Sequence, residues 1–141
     1  MYKILEAKEL TSSIYYMVVE AKRVAKACNP GQFVIVRTDE KSERIPLTIC
    51  DYDREKGTVT IVFQVVGAGT EIMSRLKAGD SFHDFVGPLG CPSELVNEDI
   101  EELKKKKILF VAGGVGTAPV YPQVKWLHER GIDADVIVGA K

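Results

Sequence analysis

Over residues 1 to about 91 the apolar positions come in short runs that alternate with polar ones, and turn-forming residues separate the runs. A period of two predicts strands, since successive side chains of a strand point to opposite faces. Residues 2–10 and 14–20 are predicted as neighbouring strands joined through Thr11, Ser12 and Ser13. Asn29-Pro30-Gly31 is a turn signal, and residues 32–38 (QFVIVRT) form the next strand. After a polar loop at 39–43 come strands at 47–51 and 58–66, separated by the charged turn at 53–57. So many short strands with turns between them predict a small antiparallel barrel.

The pattern changes at Gly67. Thr70 is a candidate cap for a short helix with Met73 and Leu76 on one face and Gly79 as its stop. Residues 81–86 are predicted to return as a strand that stops at Gly87-Pro88-Leu89-Gly90. The stretch 94–107 is densely charged and predicts a solvated linker or short helix; acidic residues precede Lys104 to Lys107, so it does not form a nucleic-acid patch. The run 107–112 (KILFVA) is continuously apolar, the pattern of a parallel strand buried on both faces. A glycine-rich turn at 113–117, a helix over 118–130 and an apolar strand at 134–138 complete one βαβ unit.

The predicted fold is therefore mainly β, a small antiparallel barrel followed by a partial α/β domain. Its divisions are 1–96 for the barrel, 97–106 for a linker and 107–141 for the first part of the α/β domain. Two parallel strands leave an open edge and apolar faces. This predicts either a truncated chain or a partner surface over the sheet, a second copy in a homodimer being one candidate.

Composition narrows the function classes. Charged residues make up 28% of the chain and the formal net charge is −1, so phosphate neutralisation does not drive a nucleic-acid interaction. No apolar run approaches membrane-span length and no secretory signal pattern opens the chain, which makes a cytoplasmic location the expectation. Cys28, Cys50 and Cys91 are too far apart for a cluster motif, and His83 and His128 lack metal-ligand spacing with them. No metal site and no hydrolase-type nucleophile–base arrangement is expected.

Four segments can carry chemistry. Gly113-Gly114-Val115-Gly116-Thr117 suits a cofactor loop, where backbone amides and a helix dipole meet a phosphate, but is equally a structural turn. Pro119 fits the start of a helix, and Tyr121 is close enough to that turn to touch a ligand. Gly67-Ala68-Gly69-Thr70 reads as an anion nest or as a helix cap after a bent strand. Arg44 before Pro46-Leu47-Thr48 offers a fork for a diphosphate and a hydroxyl for a ring nitrogen, or simply a surface arginine and a strand threonine. Gly87-Pro88-Leu89-Gly90 either admits a flat ring or turns the chain.

The order of these signals resembles the ferredoxin-reductase superfamily. The motifs are P-G-Q-F at 30–33, R-I-P-L-T-I at 44–49, G-A-G-T at 67–70, G-P-L-G at 87–90 and A-G-G-V-G-T-A-P at 112–119. Within that superfamily they sit nearest to the small (alpha) subunits of NADH-dependent reduced ferredoxin:NADP oxidoreductase, also called sulfide dehydrogenase. The electron-transfer subunit of dihydroorotate dehydrogenase is a near relative. The resemblance implies a Greek-key flavin-binding barrel and a nicotinamide-binding α/β domain. It places Thr48 near the flavin N5, with Pro46, Leu47 and Ile49 along the ring or ribityl chain. Val65, Val66 and Gly67 would pass the adenylate and ribityl part, with Gly69 and Thr70 at the pyrophosphate. Gly113, Gly114, Gly116 and Thr117 would face NAD(P)H. Ile45 stands where the family usually has arginine, a departure from its pattern, and Arg44, one place earlier, is the arginine that the resemblance would bring to the pyrophosphate.

The implied cofactor is FAD, with NAD(P)H bound transiently in the full-length parent. A [2Fe–2S] centre belongs to that parent, and its cysteine cluster does not occur in this sequence. The implied function is an FAD-binding electron-transfer reductase subunit moving electrons between NAD(P)H and ferredoxin or iron–sulfur partners. A larger flavoprotein or iron–sulfur subunit would be the partner, with neither nucleic acid nor membrane involved. The alternatives are the electron-transfer subunit of dihydroorotate dehydrogenase and a non-catalytic docking subunit.

Overall fold

The structure, a computed structural model, describes residues 1–141. Its elements in chain order are β1 (Tyr2–Thr11), β2 (Ile14–Glu20), α1 (Lys22–Ala27), β3 (Phe33–Arg37), β4 (Ile45–Asp53), β5 (Thr58–Gln64), α2 (Ala68–Ser74), β6 (Ser81–Phe82) and β7 (Asp84–Leu89). These are followed by α3 (Ile100–Lys104), β8 (Leu109–Gly113), α4 (Thr117–Glu129) and β9 (Asp135–Gly139), with single 3-10 turns at Glu94–Asn97 and Gly114–Gly116.

Seven antiparallel strands run in the order β6-β1-β2-β5-β4-β3-β7. The step from β2 to β5, with β4 and β3 following outward, is a Greek-key arrangement. One segment serves both edges. β6 pairs with β1 and β7 pairs with β3, so the sequence predicted as a single strand at 81–86 is two strands broken at His83. The break carries the chain from one edge of the sheet to the other and makes the barrel nearly closed, which leaves little open edge.

Inward residues fill the barrel with 16 buried side chains, among them Ile4, Met17, Ile49, Ile61, Phe63, Met73, Phe82 and Phe85. Alternation on β5 shows the logic, with Val59, Ile61 and Phe63 turned into this core. Tyr15 stacks on Phe63 at a centroid distance of 5.8 Å.

Helix α1 was not anticipated, although its signal is present. Ala21, Val24, Ala25 and Cys28 recur at helical spacing, and all four are buried in the core. The Arg54 guanidinium donates to the carbonyls of Lys26 and Cys28 at 2.6 and 2.9 Å and so caps the end of α1. Gly67, rather than Thr70, caps α2.

The α/β unit is smaller. β8 and β9 pair in parallel, and Leu103 of α3 packs with Trp126, Leu127 and Ile132 in a four-residue cluster. The charged stretch after residue 94 thus contains a short helix with one anchored side chain. The expected burial of both faces of β8 is not observed: Val111 is 71% exposed, and Leu109, Val136, Ile137 and Val138 are exposed as well. A two-stranded sheet has too little neighbouring structure to cover them. No helix is long and apolar enough to cross a membrane.

The segment leaving the barrel crosses it closely at Gly31. The Ser93 amide donates to the Pro30 carbonyl at 2.7 Å, Gly31 has φ of +95°, and a Cβ there would lie 2.7 Å from the Ser93 nitrogen. Gly31→Ala is expected to lower unfolding stability by ~1–3 kcal/mol, the range for a side chain forced into left-handed backbone. Denaturant titration measures this, and an unchanged midpoint would contradict the close crossing.

Burial also separates the three thiols. Desolvation pushes Cys28 up to about 11, partly offset by Arg54; it pushes Cys50 up to about 11 as well, with Asp51 adding to the rise. Cys91 is exposed. A folded-state pKa raised from 9.0 leaves both thiols neutral at pH 8, and their contribution to stability is lost as pH rises from 9.0 toward about 11. Timed reaction with a disulfide reagent at pH 8 should label Cys91 rapidly and the other two only slowly. Equal rates at all three would refute this order.

Candidate functional site

Strand β4 carries two rows of side chains. Register with β3 pairs Val34 with Leu47 and Phe33 with Thr48. Val34 and Ile49 are core residues, and Ile45 and Leu47 pack against the same core. Pro46, Thr48 and Cys50 therefore face outward. Ile49 is fully buried, so its side chain cannot line a ligand as expected, and only its backbone is left for that contact. Leu47 is turned the same way. The alternation that builds the barrel leaves Pro46 and Thr48 as the outward members of R-I-P-L-T-I.

The loop before β4 brings Arg44 to the surface. Its guanidinium lies 3.8 Å from the Asp84 carboxylate, which Arg37 holds at 2.7 Å. Beyond β5, Val65 is half-buried, whereas Val66 is 79% exposed. The amides of Val66 and Gly67 donate to the Thr70 hydroxyl at 2.9 and 3.1 Å, and that hydroxyl donates to the Gly67 carbonyl at 3.0 Å. Its bonding capacity is thus engaged in holding the bend into α2. Gly69 is buried beneath the Glu43 side chain: a Cβ at this position would collide with the Glu43 carboxylate and approach Ile45. Gly69, Ala68, Glu43, Ile45 and Lys41 border a hollow of about 390 Å³.

A larger cleft, about 520 Å³, separates the barrel from the glycine turn. Lys8, Tyr16, Cys50 and Val62 line its barrel wall, and Gly114, Thr117 and Tyr121 line the other. Its size and mostly apolar lining with a few polar groups are those of a small-molecule site. The Thr117 hydroxyl is buried and has no hydrogen-bond partner. An unmatched buried hydroxyl costs about 1–3 kcal/mol. Gly113 and Gly116 flank the turn but do not line the cleft.

Across this cleft α4 lies against β4. Lys125 Nζ donates to Asp51 Oδ1 at 2.7 Å, the one ion pair joining the α/β unit to the barrel. Burial alone would lower the Lys125 pKa, but the Asp51 hydrogen bond and charge outweigh it and raise the pKa. For Tyr52, burial instead raises the pKa. No group of three or more His, Cys, Asp or Glu side chains is arranged to hold a metal ion.

The sequence-derived candidates therefore fall in two places. Gly69 borders the smaller hollow, whereas Gly114 and Thr117 border the cleft. The outward row of β4 carries Thr48, and its next member, Cys50, is in the cleft wall. Cys50 was legible as the position two after Thr48. Lys8 and Tyr16 were not, because they reach the cleft through the pairing of β1 with β2 and of β2 with β5.

No protein-family model matches the chain. An uncharacterized protein in the adh 3′ region of Clostridium beijerinckii is 66% identical over 141 residues, covering 100% of this chain and 48% of that protein. The dihydroorotate dehydrogenase B (NAD(+)) electron transfer subunit homolog of Thermotoga maritima is 39% identical over 139 residues, covering 99% of this chain and 47% of that protein. Among solved structures, a chain of an NADH-dependent reduced ferredoxin-NADP oxidoreductase superposes with a TM-score of 0.87 at 36% identity, covering 100% of this chain and 49% of that one. The chain spans about half the length of the curated relatives it matches. Whole-length sequence similarity and shared fold together relate this chain to the ferredoxin-reductase-like electron-transfer subunits.

Proposed function

We propose that the chain supplies the flavin-binding barrel, and the glycine turn of the nicotinamide-binding unit, of an NAD(P)H-dependent electron-transfer flavoprotein reductase. The observation that carries this reading is the cleft, in which the outward face of β4 and β5 meets Gly114 and Thr117. The residues fit an FAD and a nicotinamide in several respects. Pro46 and Thr48 present an outward edge for a flat ring. Gly69, lacking a Cβ, leaves a close approach that the Glu43 carboxylate now lines, so a diphosphate there requires Glu43 to swing away. Arg44 is exposed and only loosely held by Asp84, which leaves its fork available to that diphosphate.

Bound FAD would supply hydride acceptance from NAD(P)H and release of single electrons. The chain's own residues orient and exclude. Thr48 would place a hydroxyl at the ring's reacting edge, while Pro46 and the backbone of Leu47 and Ile49 support the ring from the barrel. Val65, Val66 and Gly67 would run beside the ribityl and adenylate portion. Gly113, Gly114 and Gly116 would admit the dinucleotide close to the backbone, and Thr117 would hold its head group. Outgoing electrons would pass to an iron–sulfur centre, to ferredoxin or to a larger flavoprotein or iron–sulfur partner subunit. Several relatives are electron transfer subunits of dihydroorotate dehydrogenase B, and this favours a second reading with that enzyme as the partner.

The expected result of incubating the chain with FAD and desalting is retained flavin absorbance. Thr48→Ala should keep the flavin but slow its reduction by NAD(P)H about tenfold, the value of one hydrogen bond of ~1.4 kcal/mol at a reacting centre. A chain that stays colourless would instead point to the docking-subunit reading, and an unaltered rate in Thr48→Ala would remove Thr48 from the site.

A further inference from the structure

The α/β unit touches the barrel along α4, and that contact has one ionic fastening. Thr117 begins α4 directly after the glycine turn, and Lys125 lies eight residues further along the same helix. At 1.5 Å per residue that places the fastening about 12 Å along the helix axis from the turn. Asp51, its partner, follows Cys50 on β4 and lines the cleft with Gly114, Thr117 and Tyr121. Asp51 also borders a second hollow, of about 230 Å³, with Tyr52, Arg54, Lys125 and Trp126. The ion pair therefore stands in the partition between the two spaces. The other polar link near it, between the Ser93 hydroxyl and the Gln123 amide oxygen at 3.0 Å, ties α4 to the crossing segment rather than to β4.

Resting on the reading of the cleft as the place where nicotinamide meets flavin, we propose that Lys125 and Asp51 are positioning residues that clamp α4 to β4 and so set the separation between the glycine turn and the outward face of the barrel. The helix is a rigid lever between the clamp and the turn. Releasing the clamp lets α4 pivot, and a small rotation there displaces Gly114 and Thr117 relative to Cys50 and Thr48. No side chain of α4 belongs to the barrel core or packs against it, so apolar contact does little to fix the helix's orientation on β4. A hydrogen-bonded ion pair supplies the direction. Both partners are partly exposed, so the clamp is modest in strength and sensitive to salt.

Trp126 is the only tryptophan and borders the hollow that Asp51 shares with Lys125, which makes its emission a reporter of the contact. Acrylamide quenching is measured on the chain, on Asp51→Asn, on Lys125→Met and on the exchanged pair Asp51→Lys with Lys125→Asp, each checked for folding by circular dichroism. Each single variant should take up FAD as the parent does, show greater Trp126 quenching, and raise the NADH KM for flavin reduction roughly two- to fivefold, the range open to a partly exposed pair. The exchanged pair should return both quantities toward the parent values. Parental quenching and KM in folded single variants would overturn the proposal, as would an exchanged pair that restores neither. Quenching that rises while KM stays constant would also overturn it, leaving the pair a purely structural contact. Failure of the parent to take up FAD would instead end the flavin reading, and the quenching series, which needs no flavin, would still decide whether the clamp holds α4.

Discussion

Strand β4 has to serve two faces at once, and the rest of the structure is arranged around that constraint. Its inward row, Ile45, Leu47 and Ile49, meets the apolar interior contributed by Val34, Ile61 and Met17. Because side chains alternate, burying that row obliges Pro46, Thr48 and Cys50 to face outward. A shift of one residue would put isoleucines in the cleft and a proline in the core. The register is held by four residue pairs with β3 and by the pairing with β5, which is shifted by one irregularity between Ile49 and Asp51. That irregularity lies where Asp51 meets Lys125, so the place where the strand departs from regular pairing is also where the second unit attaches.

Closure of the barrel turns the register into a rigid platform. Residues 81–89 belong to both edges of the sheet, and Phe82 and Phe85, from its two halves, enter one core with ring centroids 6.1 Å apart. α1 fills the barrel as well, through Val24, Ala25 and Cys28. A site on the outer surface of such a barrel is held by residues whose inward neighbours cannot move without opening a cavity. Thr48 and Cys50 gain their fixed positions in this way from Ile49 between them.

Most of this was legible where the cause is local. Alternation identified the barrel strands, and glycines marked the turns at Gly31, Gly57 and Gly113 to Gly116, of which Gly31, Gly57 and Gly114 do adopt positive φ. α1 was missed because its six residues carry three charges, although Ala21, Val24, Ala25 and Cys28 keep helical spacing around them. The break at His83 was invisible because nothing local distinguishes one strand of six from two strands paired with distant neighbours. Burial of KILFVA was misjudged for a different reason: an apolar run reports what a strand is suited to contact, and not what is there to contact it. The same distinction applies to Thr70, whose residue type fits a phosphate contact but whose hydroxyl already holds the backbone of Val66 and Gly67.

The two units differ in how much order they generate for themselves. Sixteen buried side chains fix the barrel, whereas four form the cluster under α4, and the strands β8 and β9 keep most of their apolar residues exposed. The position of the glycine turn thus depends heavily on what the barrel offers α4. Thr117 is part of α4 itself, so whatever orients the helix orients its hydroxyl. α4 lies against β4, and the half-buried Asp51 carboxylate selects the rotation in which Lys125 points down onto it. The same rotation turns Tyr121, one helical turn earlier, into the cleft. The composition of the cleft wall is therefore a consequence of the docking of α4: one side is made by the alternation of β4 and β5, the other by the face of α4 that β4 holds.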